Sequence, residues 1–105
     1  MTERLSRSDA EMLLRRCLED GQVIPSKHFR DELLDEGLDF LDALCVLKGG
    51  QIYNEPEPDI RTGEWKYTVE GPEPGGKWLA VVFCFKRTET VLLITVFSVQ
   101  ARSRQ

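Results

Sequence analysis

Apolar side chains recur at helical spacing through the first half of this chain and at strand spacing through the second. Over residues 8–20, Ala10, Leu13, Leu14, Cys17 and Leu18 fall on one stripe of a helix. "SDAE" reads as its capping box, with Ser8 accepting from the Glu11 amide, and Gly21 ends it. "QVIP" is long enough only for an extended connection or a small edge strand, since Pro25 has no N–H for a ladder. Ser26 then caps a second helix, "KHFRDELLDE", with Phe29, Leu33 and Leu34 facing inward and Gly37 stopping it. A third helix starts at Asp39 with Asp42 in its first turn. Leu41, Leu44 and Cys45 point one way, flanked by Phe40 and Leu47, and Gly49–Gly50 closes it.

The period then changes. "QIYNE" reads as a short strand, and the proline-containing "PEPDIRTG" as a loop. "EWKYTVEG" alternates, with Trp65, Tyr67 and Val69 on one face and Glu64, Lys66, Thr68 and Glu70 on the other, as in a half-buried strand. "PEPGG" turns the chain into "KWLAVVFCFK", a nearly continuous apolar run that belongs at the centre of a sheet. "RTET" turns it again into a second central strand, "VLLITVFSV". Three helices followed by three or four antiparallel strands predict an α+β fold with the helices packed on one sheet face. At 105 residues the chain makes a single domain. Its ordered core is expected over about residues 8–99, with a flexible tail at 100–105.

Composition changes this picture only in part. No apolar run is long enough to span a membrane, and the charged N-terminus lacks a secretory h-region. Cys17, Cys45 and Cys84 are far apart and each sits in an apolar segment, which predicts buried, reduced cysteines in a cytoplasmic protein and no zinc site. The net charge of −4 opposes non-specific nucleic-acid binding. It is unevenly spread, however. Residues 1–75 carry 9 basic and 17 acidic side chains, whereas residues 76–105 carry Lys77, Lys86, Arg87, Arg102 and Arg104 against Glu89 alone. An anion-binding surface is therefore expected to draw on the C-terminal third.

The residues able to carry chemistry are few. No glycine-rich phosphate loop, nucleophile elbow or metal-ligand spacing is present. His28 is the one histidine. It lies at a helix start, where the dipole disfavours the imidazolium, so a neutral ring could act as a general base. Lys66 and Thr68 project from the face opposite Trp65 and Tyr67. Thr95 is a polar residue inside "LLITVF", on the face expected to hold Leu93 and Phe97, and its hydroxyl needs a partner if buried. Arg61 precedes the strand in a loop and can reach a phosphate with its guanidinium fork.

"RRCLEDGQVIPSKHFRDELLDEGLDFLDALCVLKGG" resembles the N-terminal half of MqsR-type toxins. "GEWKYTVEGPEPGGKWLAVVFCFKRTETVLLITVF" resembles a bacterial domain family of unassigned function encoded beside YgiT-type zinc-finger antitoxins. The shared features are a helix-start histidine (His28), the "EWKY" and "VEG" segments (Glu64–Tyr67 and Val69–Gly71) and a final "TVF" (Thr95–Phe97). The resemblance implies a RelE-like fold whose open sheet face cuts mRNA without a metal or other cofactor. It implies a YgiT-type zinc-finger partner, with RNA as substrate. His28, Lys66 and Thr95 are then the catalytic candidates, and Arg61, Tyr67 and Lys86 the substrate-binding ones. The chain departs from the active pattern at Trp78 and Phe97, where such toxins carry a tyrosine and a lysine, and at Glu32, where the neighbouring family often has an arginine. Those departures keep a second reading open, a non-catalytic RelE-like module that binds a small zinc-finger partner. An edge at "QIYNE" and the apolar C-terminal strand leave room for a homodimer or for strand addition.

Overall fold

A computed structural model describes residues 3–87 and 89–102. The elements run in the order α1 (Arg7–Asp20), β1 (Gln22–Pro25), α2 (Lys27–Asp35), α3 (Phe40–Gly49), β2 (Glu57–Pro58), β3 (Trp65–Pro72), β4 (Trp78–Arg87) and β5 (Thr90–Ser98). The fold is α+β. The sheet has five strands in the order β1-β5-β4-β3-β2 and is mixed, because β1 runs parallel to β5 while the other pairs are antiparallel. The all-antiparallel, three- to four-stranded expectation is corrected on both counts. "QVIP" does form an edge strand, with Val23 beside Val91. The second edge is "EP" at 57–58, inside the stretch expected to be a loop, whereas "QIYNE" supplies only a single bridge from Gln51 to Glu70. Two residues are all that Pro56 and Pro58 leave to such a strand.

The three helices cover one sheet face. Ala10, Leu14 and Cys17 of α1, Phe29 and Leu33 of α2, and Ala43, Val46 and Leu47 of α3 close over Val69, Leu79, Val81, Phe83, Val91, Leu93 and Val96. Tyr67, Phe83 and Phe85 cluster within this core at centroid distances of 5.5–5.7 Å. Three helix readings shift. Leu34 of α2, expected to face inward, is 73% exposed, and only Phe29 and Leu33 of that helix are buried. The α1 cap is Ser6, whose Oγ accepts from Asp9 N–H, and not Ser8. Glu11 is then free to accept the Ile52 N–H at 2.7 Å, which ties α1 to the chain leaving α3. The third helix starts at Asp39 as expected, closed by an Asp39–Asp42 capping box, but its phase makes Ala43, Val46 and Leu47 face the sheet. Leu41 is 69% exposed, and Cys45 is exposed, unlike the buried Cys17 and Cys84. The small Ala43 at the centre of the true stripe contributes too little hydrophobicity to outweigh Leu41 in the pattern.

The position of α2 decides the shape of the open face. β1 pairs only with Thr90–Leu93, so the second half of β5 has no strand beside it. The start and one side of α2 fill that place. Ser26 N–H donates to Leu93 O at 3.0 Å and Ser26 Oγ to Ile94 O at 3.1 Å. The Glu32 carboxylate accepts Val96 N–H at 3.0 Å, and Glu36 accepts the Ser98 hydroxyl at 3.1 Å. A polar helix side thus covers a sheet edge that would otherwise present unpaired donors and acceptors. The C-terminal strand, expected to be available for pairing, is covered in this way along its length.

Candidate functional site on the open sheet face

The sheet face away from the helices carries a groove of about 430 Å³. Lys66, Thr68 and Glu70 of β3, Ala80 and Val82 of β4, and Ile94, Thr95 and Phe97 of β5 form its floor. Asn54, Glu55 and Glu57 form its rim. The alternation of β3 delivers Lys66, Thr68 and Glu70 to this face, as the sequence predicts.

Thr95 arrives there by another route. Val82 pairs with Thr95, but the next residue, Phe83, pairs with Leu93, so Ile94 is an extra residue in β5. Such a bulge reverses the alternation. Leu93 points into the core at 0% exposure, while Thr95 lies on the open face with Phe97. The expectation that Leu93, Thr95 and Phe97 share a face is corrected for Leu93. Thr68, Val82 and Thr95 then form one row across three strands, which puts the two threonines about 10 Å apart.

The Val96 N–H lies on the edge that β1 leaves bare, and Glu32 takes it together with the Thr95 hydroxyl. His28 stands one helical turn earlier, with Nε2 3.3 Å from the other Glu32 oxygen. The His28 side chain is 69% exposed and that of Glu32 only 30%. A chain of polar contacts therefore runs from the groove to the helix surface: Thr95, Glu32, His28. Sequence reasoning marked Glu32 only as a departure from the neighbouring family's arginine, not as a member of the site. Its signal was its position one turn after His28.

The remaining candidates lie elsewhere. Tyr67 is buried in the core and its hydroxyl accepts the Leu5 N–H at 2.9 Å, so it does not face the groove. Burial pushes that phenol up from its ordinary value. Lys86 is bound to Glu64 at 2.8 Å. The same lysine holds the Glu64 carboxyl below its ordinary value. Arg61 is in the turn after β2, where its N–H is held by Asp59. Neither cation lines the groove. Beneath Glu64, burial pushes the Cys84 thiol up to about 11, which leaves it protonated and unreactive at neutral pH. Of the basic residues in the C-terminal third, Arg104 lies outside the described residues, and Arg102 is bound to Glu70.

The electrostatics of the groove are mixed. Lys66 is its one lining cation and makes no ion pair among the described residues. Glu55 is met by Arg4 at 2.5 Å and Arg7 at 3.3 Å, and Glu70 by Arg102 at 2.8 Å. Among the described residues no group of three histidine, cysteine or acidic side chains is placed to hold a metal ion. No helix among them is long and apolar enough to cross a membrane.

No curated protein and no solved structure matches this chain. A family model does. Residues 25–98 match the model described as "Domain of unknown function (DUF4258)", a span that takes in α2, α3, the groove and the Thr95–Glu32–His28 contacts while leaving α1 outside. The chain belongs to that family of unassigned function.

Proposed function

We propose that this chain is the toxin component of a type II toxin–antitoxin pair, a metal-independent endoribonuclease on a RelE-like scaffold. The observation that carries the reading is that Lys66 and Thr95 share the open groove while Thr95 is joined through Glu32 to His28. With Nε2 turned to Glu32, His28 has Nδ1 available to take the proton of an RNA 2′-hydroxyl. The 2′-oxygen attacks the adjacent phosphorus and the bond to the 5′-oxygen breaks, leaving a 2′,3′-cyclic phosphate. Lys66 offers its charge to the phosphorane oxygens, and a protonated group returns the proton to the 5′-oxygen. Thr95 donates its hydrogen to Glu32, so it faces the groove as an acceptor. It suits an attacking hydroxyl or a water better than an anionic phosphate oxygen. In this reading the cognate partner is a YgiT-type zinc-finger antitoxin that covers the groove.

A second reading rests on a different observation. Three carboxylates line the groove against one lysine. Two of the three are already matched by arginines of this chain, Glu55 by Arg4 and Arg7 and Glu70 by Arg102, and carboxylates that hold guanidinium groups suit a polypeptide with basic side chains, as expected of a non-catalytic module that binds a zinc-finger partner. Expression of the chain alone in a bacterial host, beside His28→Ala and Lys66→Ala, separates the two. Growth arrest with fragmented RNA in the wild type, relieved in both variants, supports the nuclease. Equal growth and intact RNA with all three proteins soluble leave the binding module.

A further inference from the structure

At one end of the groove a guanidinium is already seated. Arg102 forks onto Glu70, with Nε 2.8 Å from Oε1 and Nη2 2.9 Å from Oε2. Its guanidinium carbon lies 4.2 Å from the centre of the Tyr53 ring. The Trp78 indole N–H donates to Glu70 Oε1 from the side at 3.3 Å. A carboxylate fork and an aromatic face suit a planar guanidinium and suit a lysine ammonium less well.

The two halves of this contact are built differently. Glu70 is in β3, 8% exposed, in register with Ala80 of β4, and its N–H and carbonyl are both bonded to Gln51. Trp78 is in β4, and Tyr53 is two residues from the Gln51–Glu70 bridge, with its carbonyl held by Arg7. The receptor half is thus part of the sheet. Arg102, by contrast, is four residues beyond the end of β5. Val99 N–H donates to Trp78 O, and Gln100–Arg102 has no regular structure. Holding that irregular tail in place costs conformational entropy that the arginine contact must offset. A buried carboxylate left without a cation is costly, so if the tail leaves, another guanidinium is the natural replacement.

We infer that Glu70, Tyr53 and Trp78 form an arginine-recognition site that Arg102 occupies in cis, and that an arginine from a basic segment of a partner polypeptide takes it by displacing the tail. The site opens onto the groove through Glu70, and a basic segment lying along the groove also passes Glu57. The inference rests on the groove being a protein-binding face, as both readings above have it, and is independent of RNA cleavage. The bound arginine already holds the Glu70 carboxyl below its ordinary value, as a partner's would.

The test titrates N-acetyl-arginine amide and N-acetyl-lysine amide into the wild type and Arg102→Ala, following the assigned Trp78 indole N–H by NMR. Removing the internal competitor should tighten the arginine analogue by about tenfold or more, because apparent affinity scales with the fraction of open site. The lysine analogue should bind markedly more weakly. Tyr53→Leu and Glu70→Gln, each combined with Arg102→Ala, should both lose the response, and the variant at the half-buried Tyr53 keeps the test valid if the Glu70 one fails to fold. Equal response of wild type and Arg102→Ala, equal response to the two analogues, or no saturable shift in Arg102→Ala overturns the site. None of these results depends on nuclease activity, so the site and the nuclease reading fail separately.

Discussion

At the level of single residues, Glu32 has the most attached to it. One carboxylate satisfies the Val96 backbone donor on the bare edge of β5, holds the Thr95 hydroxyl and faces His28. Glu32→Ala leaves the Val96 N–H and the Thr95 hydroxyl without that partner, and should cost about 1–3 kcal/mol in urea unfolding. His28→Ala, on the exposed side of α2, should change stability by no more than about 0.5 kcal/mol. Under the nuclease proposal the same variant abolishes RNA cleavage. Loss of cleavage at unchanged stability marks His28 as catalytic, whereas a large loss of stability refutes its placement as an exposed helix residue. The cysteines make a separate prediction. Brief iodoacetamide treatment of the folded chain at pH 8 should alkylate Cys45 and spare Cys84, whose thiol is buried and pushed up to about 11. Peptide mass spectrometry reads the outcome, and equal labelling of both would contradict the packing of Cys84 beneath Glu64.

At the level of elements, the close approach of α3 to β3 depends on having no side chain at Gly50. A Cβ there would stand 2.5 Å from Glu70 O and 2.6 Å from Val46 O, both backbone atoms. Gly50→Ala must therefore push the end of α3 away from the strand that carries Glu70 and Lys66. It should cost about 1–3 kcal/mol in thermal or urea unfolding. It should also shift the NMR signals of the groove residues on β3, while a variant at Gly49, where an added Cβ meets nothing within 4 Å, should leave them in place. Equivalent effects at the two positions would sink this account. Much of the element level was legible in advance. The Ser26 cap, the start of α3 at Asp39, the alternation of β3 and the two central strands were all written in residue type and period. Where reading failed, local signals competed. Ser6 and Ser8 are both able caps, and "QIYNE" has more strand character than the "EP" that pairs with β3.

Across the whole molecule, several carboxylates hold distant parts of the chain together. Glu36 joins α2 to Lys77 and Ser98, Glu64 joins the turn before β3 to Lys86, and Glu70 joins β3 to Arg102. Hydrogen bonds from these cationic partners hold each carboxyl below its ordinary value of 4.5. A carboxyl lowered in the folded state adds stability that is present above its unfolded value and is lost as pH falls through the folded one. The fold should accordingly be insensitive to pH between about 6 and 8 and lose stability progressively below about 4.5. Arg102→Ala should flatten part of that decline. Urea unfolding across pH measures it, and a decline unchanged in Arg102→Ala would show that the Glu70 pair adds nothing to stability.

The sequence by itself determined the class of fold, the starts of α2 and α3 and the two central strands, because capping chemistry and the periods of helix and strand are local properties. It also identified Lys66 as a residue of the uncovered face, since alternation along one strand suffices for that. The tertiary structure alone decided the rest. Residue type did not predict the Ile94 bulge, because an extra residue in a strand is defined only against its partner, and that one residue moved Thr95 away from the face of Leu93. The placement of α2 along the edge of β5 depended on β1 ending at Pro25, which made an acidic helix side the partner of a bare ladder. Arg102 and Glu70 are 32 residues apart, on a tail and a strand, and only the fold brings a guanidinium to a buried carboxylate at the end of the groove.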